Sequence, residues 1–203
     1  MNKFKVSLIL AAIVVVLVGV EVVIDYFHDL PVHKSRLSRS AKGPDIGGPF
    51  TLVDHTGRTV TSEDFRGRYR LVYFGYTFCP DVCPTALHTM MTAYAQLSPE
   101  AQAKVVPLFI TVDPERDTVE QTRSYVAAFH PALMGLSGTV EQTTAAAKAY
   151  KAYFAKVKQE DDKPYLVDHS SIIYLMDQEG RYHAHFGHGT LADTLRDALA
   201  GLP

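Results

Sequence analysis

The segment "YFGYTFCPDVCPTAL", Tyr73 to Leu87, carries the only two cysteines of the chain, Cys79 and Cys83. Three residues separate them, one more than in a C-x-x-C redox pair. Pro84 fixes the start of a helix, because proline is tolerated in a first helical turn. Cys79 therefore lies between a strand that ends near Phe78 and a helix that begins near Pro84. A helix N-terminus offers unpaired N–H groups and partial positive charge, which favour thiolate over thiol. Thiolate is both a nucleophile and a metal ligand. Closing so short a loop with a structural disulfide stabilises little. An i, i+4 pair across a helix start can instead aim both sulfurs into one space, either as a redox pair or as a clamp for Cu(I) or Zn.

A metal would need a third ligand. His169, in "PYLVDHSS", is the candidate, because chain order puts it just before a strand that begins at Ser171. Asp168 beside it is read as a residue that orients the ring or as a turn former. The other histidines of the nine are assigned elsewhere. His28 and His33 fall in a linker, His55 in a hairpin turn, and His88 and His130 on helices. His183, His185 and His188 are read as solvent-facing, with a second, weaker metal patch as the alternative.

These side chains have to be placed by the surrounding elements. "KGPDIGGPF" is turn-rich and marks the start of a domain over 45–203. "PFTLVDHTGRTVT" reads as a hairpin turning at His55-Thr56-Gly57. "RYRLVYFGYTF" and "KVVPLFITV" read as buried strands, the second stopping at Asp113-Pro114. Helices are expected over Ala86 to Leu97, over 118–130, and over "TVEQTTAAAKAYKAYF" with Thr139 as N-cap. "LMGLSG" is a short strand. "SSIIYLMDQEGRYHAHF" is a strand, a turn at Glu179-Gly180 and a second strand, and Thr190 to Leu199 closes as a helix. Strands alternating with helices imply an α/β domain with a central, mostly parallel sheet flanked by helices and an antiparallel edge. In such sheets ligands gather beyond the carboxyl ends of the strands, where the cysteine loop, the Asp113 turn and the segment before Ser171 all fall.

Composition limits the function classes. The chain has 203 residues, 47% of them hydrophobic, enough for one sizeable domain and an anchor. A formal net charge of −2, with no basic cluster, gives no footprint for nucleic acid. Two cysteines do not make a disulfide scaffold, and there is no repeat or low-complexity tract. At the N-terminus, Val6 to Val20 contains one polar residue, Ser7, and Val22 to Ile24 resume the run after Glu21. Its length of about nineteen residues covers roughly 28 Å as a helix, close to the hydrocarbon thickness of a bilayer. No A-x-A site follows, so residues 1–25 read as an uncleaved single-pass transmembrane signal-anchor and 26–44 as a linker. Lys3 and Lys5 favour a cytoplasmic N-tail, but Lys34, Arg36, Arg39 and Lys42 lie beyond the other end, and charge counting leaves the orientation open.

Three segments together, "FGYTFCPDVCPTAL", "FITVDPERDT" and "YLVDHSSIIYLMDQEG", resemble the signatures of the Sco/SenC family of copper chaperones, and the likeness extends over about 45–200. The resemblance implies a thioredoxin-like fold and a domain facing the periplasm from the bacterial cytoplasmic membrane. It implies copper, as Cu(I) and Cu(II), held by Cys79, Cys83 and His169, with Asp113 in support. It also implies service to the copper-bearing subunit of cytochrome c oxidase, where the dinuclear copper centre is assembled, and dependence on a copper donor and a thiol reductant that keeps the cysteines reduced. On this reading the chain is a metallochaperone rather than an enzyme. The alternative is a thiol-disulfide oxidoreductase that keeps the oxidase's copper-site cysteines reduced, which would need the cysteines but not His169. A peroxidase is disfavoured, since Thr77 precedes Cys79 by two residues where the T-x-x-C pattern needs three.

Overall fold

The centre of the sheet is built from runs in which every residue is buried. The structure, a computed structural model, describes residues 44–160 and 164–203. Strand β3 (Tyr69–Gly75) and strand β4 (Val105–Thr111) are buried along their whole length and form its centre. Their sequences are nearly continuous apolar runs, as strands covered on both faces require. Around them lie β1 (Thr51–Asp54), β2 (Thr59–Thr61), β5 (Met134–Ser137), β8 (Ile173–Met176) and β9 (Tyr182–Phe186). The seven-stranded order is β2-β1-β5-β4-β3-β8-β9.

Strand β3 pairs parallel with β4, and β4 with β5, while the other four pairings are antiparallel. The sheet is therefore mixed, parallel at its centre and antiparallel on both flanks. The expectation of a mostly parallel sheet holds for the centre only. The β1–β2 hairpin joins β5 on one side and the β8–β9 hairpin joins β3 on the other, both antiparallel. Within each hairpin the connection is too short for a parallel crossover.

The helices are α1 (Val82–Ala95), α2 (Pro99–Lys104), α3 (Val119–Ala127), α4 (Val140–Ala149) and α5 (Ala192–Ala200). Helix α1 starts earlier than the expected Ala86 and takes in Cys83. Its buried residues Cys83, Leu87, Met90, Met91 and Tyr94 recur at helical spacing, so Cys83 is the first member of the inward stripe. Helix α4 has the expected Thr139 cap, whose side chain accepts from the Gln142 N–H. It ends at Ala149 instead of running to Phe154. Lys151 takes a left-handed backbone (φ 56°), which closes the helix.

Phe154 instead opens β6 (Phe154–Val157), which pairs antiparallel with β7 (Leu166–His169) as a separate two-stranded sheet. This hairpin was not legible in the sequence, and it carries His169 at its end. The anchor over 1–25 and nearly all of the linker lie outside the described residues. Among the described residues no helix is long and apolar enough to cross a membrane.

The topology fixes where the loops meet. Because β3 and β4 are parallel, both carboxyl ends lie on one edge. Strand β8 is antiparallel to β3 and pairs Ile173 with Tyr73, so its start reaches the same edge. The loops after Gly75, after Thr111 and before Ile173 converge there, as expected for ligand sites on open α/β sheets.

Candidate metal centre

Cys83 is fully buried and Cys79 is 8% exposed at the rim. Both are free thiols. Strand β3 ends at Gly75, not near Phe78, and the glycine makes room for the site: a Cβ there would lie 2.7 Å from Cys83 Sγ. Cys79 sits before the helix, and the Cys83 N–H donates to its sulfur at 3.4 Å. His169 Nε2 lies 3.1 Å from Cys83 Sγ. The ligand atoms of Cys79, Cys83 and His169 all fall within 4.8 Å of one another, the one such group among the described residues.

The two thiols are tuned in opposite directions. Hydrogen bonding from the Cys83 thiol, aided by His169 and by the Asp81 and Cys83 N–H groups, outweighs burial and lowers Cys79 to about 3. Burial first, and then the hydrogen bond to Cys79 and the charge there, push Cys83 well above the ordinary thiol range. The pair therefore shares one proton, with the negative charge on Cys79. Bound metal would displace that proton and hold both sulfurs as thiolates.

His169 presents the nitrogen that a ligand needs. Its Nδ1 faces the Ser170 carbonyl at 3.3 Å, and an Nδ1–H donated there is the tautomer that would free Nε2 for a metal. In the metal-free centre an N–H on Nε2 instead supports the Cys79 thiolate. Tyr73 and Tyr76 pack edge-on against the ring, with centroids 6.0 and 5.8 Å away. Asp168 has no part in orienting it. That residue is exposed, sits opposite Ala155 in the β6–β7 ladder, and makes no hydrogen bond to His169 among the described residues. Ser170 and the tyrosines do the orienting instead.

Asp113 is buried in the turn after β4 and acts on the His169 hairpin rather than on the thiols. It pairs with Arg116 Nε at 2.5 Å and accepts from the Tyr165 hydroxyl at 2.8 Å. Arg116 Nη1 donates to the Tyr165 carbonyl at 2.9 Å, and its guanidinium lies 3.7 Å from the Tyr165 ring centroid. The same guanidinium lies 4.9 Å from the Phe78 centroid. Arg116 thus joins the Asp113 turn, the cysteine loop and the lead-in to β7. Lys156 adds an ion pair with Glu115. Arg116, Tyr165 and Asp117 were missed as functional positions, although Arg116 and Asp117 lie inside "DPERDT".

The other histidines among the described residues do not join the site. His183, His185 and His188 are exposed, as expected, and belong to no three-ligand group among the described residues. His130 Nδ1 accepts the Ala132 N–H at 3.1 Å. A shallow cleft of about 300 Å³ opens onto the centre between Pro80, Asp81 and Val82 on one side and Leu166, Val167 and Asp168 on the other. Cys79 and His169 line it and Cys83 does not. Two ligand positions are therefore reachable from outside, and one is not.

Fold and site together define an α/β domain with a Cys-Cys-His centre at the carboxyl edge of a mixed sheet. The SCO1/SenC family model matches residues 38–202, and the chain belongs to that family. It is 42% identical over 160 residues to the mitochondrial SCO1 homolog 1 of Arabidopsis thaliana, a match covering 79% of this chain and 48% of that protein. The chain spans about half the length of the curated relatives it matches, with 58% covered in the Bos taurus SCO2 homolog. Among solved structures, Arabidopsis thaliana ScoI with copper bound superposes with a TM-score of 0.72 at 42% identity, covering 76% of this chain and 96% of that one. Bradyrhizobium japonicum ScoI with copper bound gives 0.70 at 39% identity, covering 76% and 97%.

Proposed function

We propose that this chain is a membrane-anchored copper chaperone that carries copper on Cys79, Cys83 and His169 and supports assembly of the dinuclear copper centre of cytochrome c oxidase. The observation that carries the reading is the set of three ligand atoms within 4.8 Å, two of them on an open cleft. Two sulfurs and an imidazole form a soft, three-donor set suited to Cu(I), and the imidazole also suits Cu(II). A sealed structural site would bury every ligand. Here an incoming thiol or imidazole can reach copper from the cleft while Cys83 still holds it, which suits transfer by stepwise ligand exchange. Family membership and the two copper-bound relatives support the cargo. The apolar run before residue 25 supports an anchor, and family membership supports the periplasmic side for residues 45–203.

The test is copper binding by the full chain, purified in detergent without air. Reduced protein should take up one Cu(I), and the folded state should gain about 4 kcal/mol when free copper is about 1,000 times its dissociation constant. A reduced, folded chain with no uptake and no copper-dependent rise in Tm would overturn the reading.

The depressed Cys79 thiol favours a second reading, thiol-disulfide exchange with the oxidase's copper-site cysteines. Thiolate at Cys79 is the attacking species that such exchange requires, and Cys83 is placed to resolve the mixed disulfide.

A further inference from the structure

A fully buried carboxylate lies behind the cysteine loop and takes no part in the centre as described. Asp117 has no exposed surface. It accepts from the Thr77 N–H at 3.0 Å, from the Thr77 hydroxyl at 2.6 Å and from the Thr111 hydroxyl at 2.5 Å. Gln121 Nε2 donates to the same Thr77 hydroxyl at 3.2 Å. The Asp117 N–H and carbonyl are also engaged, by the Asp113 carbonyl and the Ser137 hydroxyl. Thr111 in turn accepts the Asp113 N–H at 2.9 Å. One carboxylate therefore fastens the residue two before Cys79 to the end of β4, and through Thr111 to the turn that grips the His169 hairpin.

We infer that Asp117 is a positioning residue for the metal centre, setting the placement of Cys79 through Thr77. Between Thr77 and Cys79 stands only Phe78, whose side chain is 51% exposed. The stretch from Thr77 to Cys79 spans at most about 7 Å, so a displacement of Thr77 passes almost undamped to the sulfur. Cys83 has no such dependence, because α1 fixes it. Thr77 is held from the protein interior by two bonds to one charged acceptor, and charge-assisted bonds in a dry site are the strong ones. Asn in its place keeps one acceptor oxygen where the Thr77 N–H, the Thr77 hydroxyl and the Thr111 hydroxyl all donate, and it removes the charge, so the hold on the loop weakens. The inference rests on the copper reading for its metal readout and on Cys79 chemistry for its metal-free one.

Asp54 supplies the control. It is also buried, at 2% exposure, and accepts from the Thr56 hydroxyl at 2.6 Å, the Thr56 N–H at 2.8 Å and the Arg58 N–H at 3.0 Å. Its bonds close the first hairpin turn and touch no residue of the centre. The experiment compares Asp117→Asn, Thr77→Val and Asp54→Asn in the reduced full chain. Three quantities are read: Cu(I) affinity, the sulfur-to-Cu(II) charge-transfer band, and the alkylation rate of Cys79 in metal-free protein at one fixed pH. Asp117→Asn should weaken copper about tenfold or more, shift the band and change the alkylation rate. Thr77→Val, which keeps the backbone bond and loses the hydroxyl one, should do the same to a lesser degree, and Asp54→Asn should match the wild type in all three. Wild-type values in both Asp117→Asn and Thr77→Val would overturn the inference, as would equal changes in Asp54→Asn. If Asp117→Asn fails to fold, Thr77→Val decides. If the wild type itself takes up no copper, the copper reading falls, and the alkylation rates alone decide whether Asp117 places Cys79.

Discussion

At neutral pH the two cysteines hold one proton between two sulfurs, and this asymmetry can be measured directly. An ordinary thiol becomes several-hundred-fold more reactive toward iodoacetamide between about pH 5 and 8, because its thiolate fraction climbs over that range. Cys79, lowered to about 3, is already thiolate throughout it. Its alkylation rate should therefore stay within about twofold over the same interval. A rate climbing tenfold per pH unit would show that Cys83 and His169 do not stabilise the charge. The sign of the linked stability follows. Cys79 is depressed in the folded chain, so its contribution is complete above the ordinary thiol range and fades as pH falls toward about 3. Cys83 is raised, so its contribution is complete below the ordinary thiol range and is lost as pH rises beyond it. The metal-free domain should accordingly lose stability on the acid side through Cys79 and on the alkaline side through Cys83. Cys83→Ser should remove the part of the alkaline loss that begins in the ordinary thiol range, as read by Tm against pH, while the loss at higher pH from buried tyrosines such as Tyr73 and Tyr125 stays.

Gly75 is the other residue whose role follows from geometry alone. Alanine would place its Cβ 2.7 Å from Cys83 Sγ, 3.0 Å from Tyr73 Cε1 and 3.2 Å from Phe109 Cε2. All three neighbours are core atoms with no room to yield. Gly75→Ala should cost about 1–3 kcal/mol in denaturant unfolding and weaken copper binding by displacing Cys83. Unchanged stability with unchanged copper affinity would show that the helix can back away from the strand.

Among the elements, the hairpin β6–β7 matters most, because it delivers one of three ligands without belonging to the main sheet. Its grip comes from side chains: Tyr165 on Asp113, Arg116 on the Tyr165 carbonyl and ring, and Lys156 on Glu115. Tyr165→Phe removes a hydrogen bond to a buried carboxylate, worth about 1.5–3 kcal/mol locally. Backbone amides of β7 should then exchange with solvent faster, while those of β3 and β4 keep their protection, and copper affinity should fall with the hairpin. Equal protection of β7 in both proteins would mean that the hairpin stands on its own ladder. The same element shows what was hidden in the sequence. The central strands were legible because burial on both faces leaves an unbroken apolar run. Thr139 was legible because a capping side chain is a local signal. The stretch from Phe154 to His169 was not, because Phe154 and Ala155 continue a helical pattern that only the left-handed turn at Lys151 stops. The two strands are short and partly exposed, and nothing in "FAKV" or "LVDH" marks them as partners. His169 was found by residue type and by chain order near β8. Arg116, Tyr165 and Asp117 were not, since their roles exist only once three loops have met.

For the whole molecule, the question is whether copper or thiol exchange is what the cell requires from this centre, and on which side of the membrane. With residues 45–203 in the periplasm, as proposed, a reporter that folds only there, fused after Pro203, should be active. Activity of a cytoplasm-only reporter would reverse the topology and give weight to the basic residues from Lys34 to Lys42. The two activities then separate by their ligands. Exchange uses Cys79 as nucleophile and Cys83 as resolving thiol, and needs the imidazole only to help hold a thiolate whose largest stabiliser is Cys83. Copper carriage needs all three donors, because two sulfurs leave the coordination incomplete. His169→Ala should therefore weaken copper binding by orders of magnitude while Cys79 and Cys83 still form a disulfide under oxidant. Oxidase assembly in cells carrying each variant reads the difference. If His169→Ala and Cys79→Ser fail alike, the three side chains act as one metal site and delivery of copper is the function. If His169→Ala assembles oxidase at the wild-type level while Cys79→Ser does not, thiol exchange is sufficient, and the His169 hairpin serves some other end than the cell's supply of copper.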